Sequence, residues 1–125
     1  MSKSGNETVN KFFAAMQTGA SAEEEMMALF HDDAVYIEPF TGKVRTHNGK
    51  IEIRTCMHDG WKYPLPDMRI EIDQLIVEGH EVFAQWTCYS PGLPGGFGKG
   101  ENRFTLKDGL ISRLETKILG PDQSR

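Results

Sequence analysis

From Met68 onward the apolar residues of this chain alternate with polar ones, whereas before Met68 they recur at spacings of three and four. "MRIEIDQLIVEG" sets Met68, Ile70 and Ile72 against Arg69, Glu71 and Asp73, and "EGHE" reads as a turn. "VFAQWTCY" is a second strand; "NRFTL" and "LISRLETKIL" are two more, joined by the hairpin signal "KDG". With the short strand inside "HDDAVYIEPF", this predicts about five strands. Helices grouped early and consecutive strands later predict an α+β fold with an antiparallel sheet rather than a doubly wound parallel one.

The helical half is punctuated by its own signals. Ser4 with Glu7, and Ser21 with Glu24, are spaced as capping boxes, each able to satisfy two free amides of a first helical turn. Val9, Phe12, Phe13 and Met16 then share one helical face, and Gly19 provides the stop. Met26, Met27, Leu29 and Phe30 form a shorter apolar face. A third helix is predicted from about Asn48 to Asp59, where Ile53, Cys56 and Met57 lie one turn apart and Trp61 extends the stripe. "YPLP" ends it.

Length and charge narrow the class. At 125 residues the chain makes one domain, residues 1–125 with an ordered core from about 6 to 119, long enough to bury a core without staples. The net charge of −4 is spread through the sequence with no basic stripe, which argues against nucleic acid as a partner. No apolar run has signal or transmembrane length, and Cys56 and Cys88 form no metal-type spacing. The expectation is a reduced, cytoplasmic protein with no membrane partner. The four histidines show no H-x-H or H-E-x-x-H spacing, so no metal is expected. His47 is most simply a neighbour of the third helix cap, and His31 and His80 surface turn residues. The glycines of "SPGLPGGFGKG" lack the order of a phosphate loop, and predict a flexible hairpin or lid with Phe97 at its tip.

In "HDDAVYIEPF", Tyr36 and Glu38 share one strand face and Val35 and Ile37 the other. Either that face is wet and Glu38 is an ordinary strand-end acid, or it lines a pocket. In a pocket, burial against apolar groups would raise its pKa toward that of a useful base. Asn102 heads a face shared with Phe104 and Leu106; its amide either points into a cavity or satisfies nearby backbone. Trp86, with Ala84 and Cys88 on its face, points inward. Cys88 has no base placed to activate it as a nucleophile. His58, at the end of the third helix, is either a surface group or an acid–base partner.

The order of elements, with "DDAVYIEP", the helix opened by "THNGK" and the closing "KDGLISRLE", resembles the nuclear-transport-factor-2-like superfamily, in its SnoaL-like and ketosteroid-isomerase-like branches. The resemblance implies a cone-shaped, curved antiparallel sheet wrapped around helices (a cystatin-like fold), with a deep apolar cavity and frequent homodimers. It places Glu38 at the family's general-base position and Asn102 at that of a second acid. Phe12 falls at the position of a phenolic tyrosine, and cannot donate a hydrogen bond. Phe12, Met16, Tyr36, His58, Trp61, Trp86, Cys88 and Phe104 would line the pocket. The implied function is a pocket for a hydrophobic small molecule, with cofactor-free isomerisation or cyclisation by proton abstraction next to a carbonyl if it is an enzyme. Glu38 and Asn102 would then be the catalytic pair. A non-catalytic ligand-binding or dimeric assembly module on the same fold stands second. An epoxide-hydrolase-like enzyme stands third, since its Asp-Arg-Asp set has no full counterpart here.

Overall fold

The computed structural model describes residues 5–119. Helix α1 (Gly5–Thr18) is followed by a 3-10 turn at Ala20–Ala22, α2 (Glu23–Met27), β1 (Phe30–Glu38) and β2 (Arg45–Asn48). Helix α3 (Gly49–Gly60) leads into four long strands, β3 (Arg69–Glu78), β4 (Glu81–Tyr89), β5 (Phe97–Lys107) and β6 (Leu110–Ile118). The strands form one six-stranded sheet in the order β2-β1-β6-β5-β4-β3. The α+β class is as expected from the change of period.

Two features of the sheet depart from the expectation. The sixth strand, β2, reads "RTHN" and has no apolar alternation to announce it. It forms because the chain turns back at Pro39–Gly42, where the Gly42 amide donates to the Pro39 carbonyl at 3.1 Å, and it lies at the sheet edge. The pairing of β1 with β6 is parallel, the others antiparallel. The three hairpins from β3 to β6 fix the direction in which β6 meets β1.

The hairpin signals are realised at both tight turns. Asp108 (φ 56°) and Gly109 (φ 80°) carry the β5–β6 turn, both in the left-handed region that a two-residue hairpin of this twist demands. In β3 the register shifts between Ile72 and Gln74, a bulge at Asp73. The bulge aims Asp73 at the Thr87 hydroxyl, which donates to it at 2.5 Å. Phe97 is not at a loop tip: it opens β5 opposite Tyr89, because residues 91–96 already carry the reversal.

The helices cover one face of the sheet. Val9, Phe12 and Phe13 of α1 are buried as their spacing predicts, and the Phe12 ring meets Phe13, Phe30 and Phe104 edge-on at 5.3, 6.4 and 5.2 Å. Gly19 (φ 88°) ends α1. Ser4 lies outside the described residues. The Ser21–Glu24 box does not form, because α2 opens at Glu23 with Ala22 at its cap position; Glu24 instead pairs with Arg54 of α3 at 2.9 Å.

Candidate functional site

Strand alternation turns Tyr36 and Glu38 toward the helices, and the β1–β2 register sets Tyr36 opposite His47 and Glu38 opposite Arg45. Helix α3 lies over this hairpin and contributes Cys56. The Glu38 side chain is fully buried. Its Oε2 accepts from Arg45 Nε at 2.8 Å and from His47 Nε2 at 2.8 Å, with the Cys56 Sγ at 3.9 Å. Its Oε1 accepts from the Phe40 backbone amide at 2.8 Å.

These partners decide the charge of Glu38. Burial by itself pushes a carboxyl up, but the hydrogen bonds from His47, the Phe40 amide and Arg45 outweigh it and hold Glu38 below its usual range. Glu38 is therefore an anchored carboxylate, where burial alone would have made it a poised base. An ionised carboxylate can only accept, so the proton in the Glu38–His47 bond belongs to Nε2 of the ring. Burial and the neighbouring Glu38 push the Cys56 thiol up to about 11, which leaves it protonated and a poor nucleophile. Burial also raises the Tyr36 phenol, which shares a hydrogen bond with Thr116.

The Glu38, His47 and Cys56 donor atoms lie within 4.8 Å of one another, a spacing that a metal ion could span. Arg45 already stands where the cation would act, with Nε on the same Glu38 oxygen and Nη2 at 3.9 Å from the Cys56 sulfur. With the guanidinium present the carboxylate is neutralised, so the group fits a hydrogen-bonded cluster better than an ion site.

Asn102 lies in the same inward row of the sheet as Glu38. It pairs with Thr116 across β5–β6, and Glu38 follows Ile37, the partner of Glu115 in β1–β6. One strand therefore separates the two, roughly 10 Å at two strand spacings. The Asn102 Oδ1 accepts from the Trp86 indole N–H at 3.1 Å, which leaves the amide nitrogen as its donor end.

The remaining predicted site residues divide. Phe12, Trp86, Cys88 and Phe104 are buried in the core, with Met16 and Trp61 packed against it at partial exposure. His58 points away from Glu38, to Glu23 of α2 at 3.1 Å, and is 59% exposed. His47 is the residue whose place differs most from expectation: it sits in an edge strand and bonds the buried acid instead of neighbouring a cap. Its signal in sequence is the mirror spacing about the Pro39–Gly42 turn, Tyr36 and Glu38 on one side, Arg45 and His47 on the other. A surface hollow of about 670 Å³ runs along α1, α2 and the β5–β6 turn, lined by residues such as Thr8, Lys11 and Leu110, and does not reach Glu38.

A curved six-stranded sheet wrapped on helices, with a buried carboxylate cluster at the end of its first strand, defines a protein of cystatin-like fold. Residues 9–114 match the model of the SnoaL-like domain, and the chain belongs to the SnoaL-like family. It is similar in structure to a protein provisionally named a polyketide cyclase from Sinorhizobium meliloti (TM-score 0.72, 23% identity, 89% of this chain and 94% of that one). It is similar also to one provisionally named a ketosteroid isomerase from Kribbella flavida (TM-score 0.72, 20% identity, 91% and 76%). An NTF2-like protein of unknown function from Cytophaga hutchinsonii superimposes equally well (TM-score 0.72, 13% identity, 94% and 92%). Among curated proteins none matches the chain.

Proposed function

We propose that this protein binds a hydrophobic small molecule and moves a proton next to its carbonyl group, as a cofactor-free isomerase or cyclase. The observation that carries this is the 2.8 Å bond between the buried Glu38 carboxylate and His47. A buried carboxylate bonded to an imidazole is a means of accepting and returning a proton without a cofactor. The names given to the similar proteins, a cyclase and an isomerase, belong to the same chemistry. Asn102 supplies amide N–H donors for an oxygen on which charge develops.

The test is hydrogen exchange into a panel of β,γ-unsaturated ketones and β-dicarbonyl compounds in D2O, followed by proton NMR. Exchange above the buffer rate, reduced at least tenfold by Glu38→Gln, is the expected result. No acceleration with any of them removes the enzyme function.

The second function, a binding or assembly module, is favoured by Phe12, a core residue without a donor at a position where the resemblance expects a phenol. Ligand-induced rise of the melting temperature without turnover would support it.

A further inference from the structure

We propose that the proton acceptor of this site is Nδ1 of His47, and that Glu38 is the positioning residue that holds the ring. This rests on the proton-transfer function above and names the atom that performs it. Glu38 cannot meet a substrate directly, because both its oxygens are occupied and its side chain has no exposure. Abstraction from carbon needs contact at about 3–3.5 Å.

The His47 ring is held at one nitrogen and free at the other. Its Nε2 is spent on Glu38, and no other side-chain bond involves the ring. Among the described residues no buried side-chain nitrogen or oxygen lacks a hydrogen-bond partner. The unpartnered Nδ1 is therefore not buried, in accord with the 14% exposure of the His47 side chain. The Tyr36 ring lies 5.8 Å away and limits the ring's movement. With the proton on Nε2, the lone pair is on Nδ1.

The step balances within the substrate and this ring. The C–H bond next to the carbonyl breaks, its electron pair forms the enolate double bond, and the carbonyl π pair moves to oxygen. The proton binds Nδ1 and makes an imidazolium, which Glu38 stabilises. Return of that proton to a different carbon restores the neutral ring and completes an isomerisation with no net redox change. The charged and titratable groups facing the ring are Tyr36 and Glu38 of β1, Arg45 of its own strand and Cys56 of α3. Of these Arg45 opposes the imidazolium, and its half-exposed side chain lets water weaken that repulsion.

Nitrogen NMR of the wild-type protein labelled with 15N-histidine tests the geometry without any substrate. The expected spectrum at pH 8, assigned against His47→Gln, has the proton on Nε2 and Nδ1 bare; a proton on Nδ1 overturns the proposal. In the exchange assay, His47→Gln is expected to lose at least 100-fold. His58→Gln, on the far side of α3, is expected to keep the wild-type rate. Exchange that survives His47→Gln but not Glu38→Gln would make Glu38 the base, overturning this assignment while leaving the proton-transfer function in place. A wild-type protein that exchanges nothing removes that function and this assignment with it.

Discussion

The inner wall depends, residue by residue, on space as much as on charge. A Cβ on Gly100 would lie 2.2 Å from Cζ2 of Trp86, so the indole lies where only a glycine permits it. That position brings the indole N–H to Asn102 and frees the amide nitrogen of Asn102 for other work. Gly100→Ala must push a rigid ring within a packed core, at an expected cost of about 1–3 kcal/mol. Urea unfolding would read the loss, and Trp86 emission in a Trp61→Phe background would shift as the indole leaves Asn102. Unchanged stability and emission would show that the wall yields easily. Arg45→Met tests the charge side of the same wall. It leaves a buried carboxylate without its guanidinium. Removal of one partner of a buried pair costs about 3–5 kcal/mol; Arg45 is half exposed, so the expectation is about 1–3 kcal/mol in urea unfolding at neutral pH. A neutral result would mean that His47 and the Phe40 amide suffice for Glu38.

Elements were legible in the sequence where periodicity and turn chemistry agree. Helix α1 and the β5–β6 hairpin are of this kind, each with an apolar face and a positive-φ residue at the required place. Strand β2 was not legible, because an edge strand whose inward positions are Arg45 and His47 carries no apolar alternation. The site followed the same division: Glu38 and Asn102 could be assigned to a face from alternation alone. The partners that set the charge of Glu38 lie seven and nine residues away and meet it only through the hairpin. The loops between elements were also hidden. Ser90, at the end of β4, donates to the Pro66 carbonyl at 2.6 Å and accepts from the Gly92 amide at 3.1 Å, joining the β4–β5 loop to the segment after α3. Ser90→Ala removes both of these part-buried bonds, an expected loss of about 1–2 kcal/mol. Amide exchange should quicken in both loops together; quickening in only one would show that the serine does not couple them.

At the scale of the whole molecule, these groups set a pH range for stability, and the sign differs at its two ends. On the acid side Glu38, Glu23 and Glu24 all have pKa values lowered by folding, from an ordinary value of 4.5. Their contribution is complete above that value and is lost as pH falls through the lower folded values, since the unfolded chain then binds protons more readily. Glu23 and Glu24 pair with Arg54 in solvent, so salt should erase their share. Glu38 is enclosed, and its share should persist. On the alkaline side burial raises the Cys56 thiol from 9.0 to about 11, and Cys88 and Tyr36 also move up. Their neutral forms favour the folded state, so stability is complete below about 9 and declines as unfolded thiols and phenols ionise. Urea unfolding free energy against pH should therefore show a plateau between about 5 and 9 with two limbs. In high salt, Glu38→Gln should flatten the acid limb, and Cys56→Ala should reduce the alkaline limb without touching the acid one. An acid limb that vanishes in salt for the wild-type protein would assign it to the exposed Arg54 pairs and remove the buried cluster from the acid stability of the fold.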